Sequence, residues 1–348
     1  LAPLSIAHCL RNERQMPRDA LPARLTWFLC ALLCLTALAG CDLPGFGGQS
    51  AQPTATANPT DLFSPKYSVT VRENLAYGAS PAQTLDLCHP NGLSSPRPGI
   101  VLIHGGAWVS GSKRYQFDDF HTLRDLCRGF ASQGFVVASI DYRLLSLSGP
   151  LGAHSDPWPA QLNDAQLAVR WLRAHAGELA LDKTRLCAAG LSVGAMLAVF
   201  LGALSAIEPG DQASLYPNES PQVSCVADFY GPVDIVSLLK AAPDANVDVF
   251  QALLGYTTPE QNPDGYHAAS PLFRVSSQTA PTLIVHGVHD SVVPIEQSMA
   301  LFEALRAHEV PAQFITYNGR HSFGSVNLQE SRAIWSQVLA YFIAQEYA

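Results

Sequence analysis

The tightest constraint in this sequence is a run of five residues, Gly190-Leu191-Ser192-Val193-Gly194. It follows Arg185–Ala189, read as a strand, and opens Val193–Leu204, read as a helix. A strand that becomes a helix across one residue turns so sharply that side chains two positions either side have no room. Glycine satisfies that requirement. The turn lifts the serine hydroxyl to the top of a sheet, and the helix starting at Val193 contributes free N–H groups and a positive dipole end. A serine that merely caps a helix needs no flanking glycines.

The surrounding pattern supplies that sheet. Tyr67–Ala76 and Gln83–Cys88 alternate and read as an antiparallel opening pair. Ile100–His104 and Phe135–Asp141 are continuous apolar runs, as strands covered on both faces are. Val223–Tyr230, Thr282–His286 and Ala312–Tyr317 read as further strands. Between them, Phe117–Gln133, Gln161–His175, Ile295–His308 and Leu328–Tyr347 read as helices. Within the second, Leu162, Ala165, Ala168, Val169 and Leu172 form the apolar stripe. Strands separated by helices predict an α/β fold: a mostly parallel central sheet with helices on both faces. Ligands of such sheets bind outside the carboxyl ends of the strands.

Composition narrows the class. The chain has 348 residues, of which 48% are hydrophobic and only 14% charged, so a mostly disordered chain is excluded. The formal net charge is −8 and there is no run of Lys or Arg, so nucleic-acid binding has no electrostatic basis.

Three strand ends carry chemistry. Ser192 is the candidate nucleophile. His104-Gly105-Gly106-Ala107-Trp108 follows the strand at Ile100, and a Gly-Gly turn lets backbone amides approach a developing oxyanion. Gly106 and Ala107, together with Val193, are the expected donors, and His104 is read as a brace for the loop. The third centre combines Asp290, in His286-Gly287-Val288-His289-Asp290-Ser291-Val292-Val293-Pro294, with His321, in Arg320-His321-Ser322-Phe323. A serine needs a base, and the base needs an orienting carboxylate. The chain order Ser192, Asp290, His321 suits this architecture. Asp234 is the rival acid; His286 and His289 are rival bases. No Cys or His spacing resembles a metal site, and neither metal nor organic cofactor is expected.

With these residues in view, residues 67–348 resemble the α/β-hydrolase esterases and lipases related to hormone-sensitive lipase. The nearest likeness is to bacterial carboxylesterases with an H-G-G-x-W oxyanion motif. The likeness also rests on Asp141-Tyr142-Arg143-Leu144 and on Asp164–Ala176. It departs from the frequent G-x-S-A-G-G pattern at Val193 and Ala195, and a third glycine of the oxyanion loop is replaced by Ala107. The resemblance implies a serine carboxylic-ester hydrolase acting through an acyl-enzyme on small-molecule esters. Val193 and a small cap, expected within 231–280, favour short-chain or acetyl-type esters. Arylformamidases share the motif, so hydrolysis of an N-formyl amide is the alternative. Feruloyl or xylan esterase activity and a non-catalytic binding role stand behind it. Trp108, Tyr142, Trp158 and Tyr230 are the expected pocket walls, with residues 145–160 forming a rim.

The first 66 residues read differently. Leu25–Ala39 is a 15-residue apolar run, shorter than the roughly 20 residues that span a bilayer, with Arg18 and Arg24 before it. It fits a signal-peptide core. It ends in Leu38-Ala39-Gly40-Cys41, which resembles a bacterial lipobox. This implies residues 1–40 as signal peptide, with Met16 as the start and 1–15 upstream of it. Cys41 is then the lipidated anchor of an exported cell-envelope lipoprotein, its membrane attachment continuing into a Gly/Pro/Ser/Thr-rich tether over 41–66. Cys88, Cys127, Cys187 and Cys225 can pair if exported, and spacing leaves the pairing open.

Overall fold

In the computed structural model, residues 61–146, 156–210 and 212–347 are described. Eight strands form one sheet: β1 (Val69–Ala76), β2 (Thr84–Pro90), β3 (Arg97–Ile103), β4 (Val136–Ile140), β5 (Leu181–Leu191), β6 (Val226–Phe229), β7 (Thr282–Gly287) and β8 (Ala312–Tyr317). Their order across the sheet is β1-β2-β4-β3-β5-β6-β7-β8. The β1/β2 and β2/β4 pairs are antiparallel and every other pair is parallel.

The main helices are α1 (Leu123–Ser132), α2 (Ala160–Ala174), α3 (Val193–Ala203), α4 (Ile235–Ala241), α5 (Pro243–Leu253), α6 (Pro263–Ala268), α7 (Glu296–Ala307) and α8 (Leu328–Glu346). Alternation along β3 sends Ile100 and Leu102 to one face and Val101 and Ile103 to the other. The first face packs against Phe130 of α1 and Trp335 and Phe342 of α8. The second packs against apolar residues of α2, α3 and α7, including Leu162, Met196 and Leu301. Each fully buried Leu, Ile or Phe contributes about 1.5–3 kcal/mol, so the two layers fix the helices against the sheet. Helices α4 to α6 occupy the connection between β6 and β7, where the cap was expected.

Two expectations change. Phe117 to His121 is not helical: Asp118 accepts N–H bonds from Phe120 and His121, and the helix starts only after Thr122. A capping box between Thr122 and Asp125 sets that start. The presumed tether is docked from residue 61 onward. Leu62 is fully buried against Gly129, and Asp61 pairs with Arg332.

The expectation of a membrane-held envelope lipoprotein is also corrected. All four described cysteines are paired, Cys88 with Cys127 and Cys187 with Cys225, so none is free for lipidation. No described helix is long and apolar enough to cross a membrane. The apolar run and Cys41 lie outside the described residues, and no membrane partner or envelope location is assigned.

Candidate active site

Strand β5 runs into α3 through Ser192, whose φ of 54° and ψ of −124° make a tight left-handed corner. Its amide donates to the Phe229 carbonyl at 2.9 Å, which ties the corner to β6. Ser192 sits at the N-cap position, yet its side chain makes no capping bond, so the hydroxyl is available.

The loop after β3 lies directly beside this corner. A Cβ on Gly105 would come within 3.1 Å of the Ser192 Cβ. Gly106, Ala107 and Trp108 have successive positive φ values of 111°, 51° and 67°. Two non-glycine residues held left-handed in a row are uncommon and mark a loop fixed by its surroundings. The amides of Gly106, Ala107 and Val193 have no hydrogen-bond partner among the described residues. His104 braces the loop. Its Nδ1 lies 2.6 Å from the Gly105 carbonyl, its ring stacks on Tyr142 at 4.2 Å, and its own carbonyl accepts the Tyr142 hydroxyl. Burial pushes the His104 pKa down to about 4, which keeps it neutral.

Asp290 follows β7 and His321 follows β8. The two loops are joined by N–H bonds from Val288 to the Tyr317 carbonyl and from His289 to the Gly319 carbonyl. His321 Nε2 lies 3.1 Å from Ser192 Oγ, and His321 Nδ1 lies 2.6 Å from Asp290 Oδ2. An ionised carboxylate only accepts, so Nδ1 carries the proton and Nε2 is left to accept from the serine. Asp290 Oδ1 accepts from the amides of Val292 and Val293, both at 2.9 Å. Burial alone would raise the Asp290 pKa. Hydrogen bonds from His286 and His321 outweigh it and hold the group well below the usual carboxylate range.

A second serine–histidine pair meets the same carboxylate, and the sequence reading missed it. His286 Nε2 is 3.4 Å from Asp290 Oδ2, and His286 Nδ1 is 2.6 Å from Ser298 Oγ on α7. Both His286 and Ser298 are fully buried, whereas Ser192 and His321 are part-exposed. The rivals considered from sequence have other work. Asp234 caps α4 through the amides of Val236 and Ser237, and His289 bonds Asn318 at the surface.

The expected pocket walls need correction. Trp108, Tyr142 and Tyr230 have essentially no exposed surface. Tyr230 instead backs the His321 imidazole, its ring centroid 4.7 Å from that of His321. Trp158 remains half-buried, packed beside Trp108 and Phe200, with its amide bonded to the Leu253 carbonyl. Part of the expected rim, residues 147–155, lies outside the described residues. A concavity of about 340 Å³ is lined by Gln116 to Asp119 and Ser322 to Gly324. Sequence missed it because 117–121 read as helix. Cys187, Cys225 and Glu346 cluster closely enough to hold a metal, but the two sulfurs are already joined to each other.

Residues 85–305 match the family described as BD-FAE. The chain belongs to the BD-FAE family. This BD-FAE member is also similar to several esterases. It is 32% identical to Esterase LipC of Mycobacterium tuberculosis, over 68% of this chain and 55% of that protein. It spans little more than half the length of the curated relatives it matches. A truncated carbohydrate esterase from gut microbiota has the same fold, with a TM-score of 0.65 and 24% identity over 82% of this chain and 100% of that one. Thermogutta terrifontis esterase 2, solved phosphorylated by paraoxon, has a TM-score of 0.58 and 26% identity over 82% and 97%. The side chains of Ser192, His321 and Asp290 form the hydrogen-bonded chain that a serine hydrolase uses.

Proposed function

We propose that this chain hydrolyses carboxylic esters, with Ser192 as nucleophile, His321 as base and then acid, and Asp290 as the orienting carboxylate. The observation that carries this reading is the unbroken chain from Ser192 Oγ through His321 to Asp290 Oδ2, at 3.1 and 2.6 Å. His321 Nε2 takes the hydroxyl proton as Oγ bonds to the ester carbonyl carbon. The amides of Gly106, Ala107 and Val193 meet the oxyanion, a contribution of about 3–4 kcal/mol per well-placed donor in related chemistry. The carbon–oxygen bond to the alcohol then breaks, and His321 returns the proton to the leaving oxygen. Water, deprotonated by the same nitrogen, attacks the acyl-enzyme and releases the acid.

The Ser298–His286 pair is a poor vehicle for the same chemistry. Neither residue reaches solvent, and His286 Nε2 lies 2.8 Å from the Val293 carbonyl. Esterase activity is supported by the esterase relatives, including one that is phosphorylated by paraoxon. Short acyl groups are the preferred substrates. Supporting this, Trp158 sits among Trp108, Phe200 and Leu253, filling the space beside the oxyanion loop with packed rings. The test is hydrolysis of p-nitrophenyl butyrate by the purified protein. Activity that disappears in Ser192→Ala supports the reading, and activity that survives it overturns it.

A further inference from the structure

Asp290 serves two imidazoles through one oxygen. Oδ2 is 2.6 Å from His321 Nδ1 and 3.4 Å from His286 Nε2, while Oδ1 is filled by two backbone amides. We propose that His286 is a positioning residue for the Ser192 reaction, whose Nε2–H shares the Asp290 carboxylate with His321 and so sets how basic His321 is. This rests on the esterase reading above.

The tautomer follows from the partners. His286 Nε2 lies 2.8 Å from the Val293 carbonyl, which only accepts, so Nε2 carries the proton. That N–H is shared between the carbonyl and Asp290 Oδ2. Nδ1 then accepts from the Ser298 hydroxyl at 2.6 Å. Ser298 thus holds the ring in the tautomer that points a donor at the carboxylate, as second-layer hydrogen bonds orient metal-bound and catalytic histidines. The same N–H closes the loop from His286 to Val293 that carries Asp290.

The consequence has a definite sign. A carboxylate that gives part of its charge to His286 has less to give to His321. Removing the His286 donor leaves more negative charge facing His321 Nδ1, stabilises the imidazolium and raises its pKa. The acid limb of the kcat/KM profile then moves to higher pH, because more alkali is needed to free the base. Loss of mere packing would lower kcat or stability without moving that limb.

Other titratable groups face the pair. Tyr230, beyond β6, and Tyr317, at the end of β8, are raised by burial, as is Tyr115 after β3. Arg320 and His289 lie on the two loops, with His289 turned to Asn318. Asp228 on β6 is fully buried, interacts electrostatically with His286, and is pushed up to about 7 by burial. Its own ionisation falls in the working range, so the comparison is made both in the native background and in Asp228→Asn.

The experiment is the kcat/KM profile for p-nitrophenyl butyrate across about pH 5–9 in wild type, His286→Leu, His286→Gln and Ser298→Ala, with Ser192→Ala as control. His286→Leu is expected to move the acid limb up by roughly half to one pH unit, with kcat down on the order of tenfold. His286→Gln, which can still donate near the Nε2 position, recovers part of the shift. Ser298→Ala moves the limb the same way by less, and it decides the matter if His286→Leu does not fold. An unshifted limb in every folded variant overturns the positioning role. Activity persisting in Ser192→Ala overturns the esterase reading itself, a result that the His286 variants cannot mimic.

Discussion

A Cβ placed on Gly190 would lie 2.0 Å from the carbonyl oxygen of Gly194. Strand β5 and helix α3 therefore approach each other more closely than any side chain permits, and Ser192 stands at the corner between them. Gly190→Ala must push the helix away from the strand. The variant is expected to lose about 1–3 kcal/mol of stability, and most of its esterase activity, because the hydroxyl moves relative to His321. Urea midpoints and kcat on the same sample check this. An active, equally stable Gly190→Ala would mean the corner is looser than its contacts imply.

Removing members of the Ser192–His321–Asp290 chain should not be additive. Ser192→Ala and His321→Ala are each expected to lower kcat by on the order of 10⁴–10⁶, and the double variant to be little worse than either. Asp290→Asn should cost somewhat less, since serine and base survive it. Asp234→Asn and His289→Ala should leave kcat within a few-fold once folding is checked. A collapse of activity in Asp234→Asn with survival in Asp290→Asn would reassign the acid.

Much of this was legible in the sequence because each side chain of the Ser192–His321–Asp290 chain sits just after a strand stops. Strand ends are marked by an apolar run that stops within two residues of a glycine, as at Ile103, Leu191 and Val285, and the topology brings such ends together. What was not legible depends on contacts between distant segments. The pairing of Cys88 with Cys127 requires α1 to lie against β2. The approach of His286 to Ser298 requires the first turn of α7 to cross the end of β7. Burial of Trp108, Tyr142 and Tyr230 depends on what roofs them, so aromatic residues near the motifs read as open walls when they are core. The helix start at Leu123 was readable in principle, since Thr122 and Asp125 form a capping box in the sequence itself.

Stability should depend on pH through two buried carboxyls with opposite signs. Hydrogen bonds hold the folded pKa of Asp290 below the ordinary carboxylate value of 3.8, so it contributes stability above that value and loses it as pH falls further. Asp228 is raised from 3.8 to about 7, so its stabilising effect is complete below the lower value and is lost as pH rises through the upper one. Asp228→Asn should therefore gain on wild type between about pH 4.5 and about pH 8, measured as the difference in Tm at the two values. A constant difference across that range would show that Asp228 ionises freely in the folded protein.

Each disulfide closes a sizeable loop. The Cys88–Cys127 pair has a sequence separation of 39, for which loss of chain entropy in the unfolded state predicts about 4 kcal/mol. Cys88→Ser combined with Cys127→Ser should lower the denaturant midpoint accordingly, while kcat for p-nitrophenyl butyrate stays near wild type, since β2 and α1 lie away from the catalytic strand ends. A large fall in kcat in the folded variant would tie this link to the site.

Acyl length should matter steeply. Across p-nitrophenyl esters from acetyl to dodecanoyl, kcat/KM is expected to peak at the short end and fall with length. Equal or rising values would mean that Trp158 and its neighbours swing aside to open a longer groove.

Covalent labelling by paraoxon tests the central claim most directly, because two serines lie within reach of a histidine bonded to Asp290. The alkoxide of the true nucleophile displaces p-nitrophenoxide and keeps the diethyl phosphate. Peptide mass spectrometry after stoichiometric inactivation should find that phosphate on Ser192 alone, and Ser192→Ala should take up none. A diethyl phosphate on Ser298, or inactivation that leaves Ser192 unmodified, would contradict the assignment of the nucleophile.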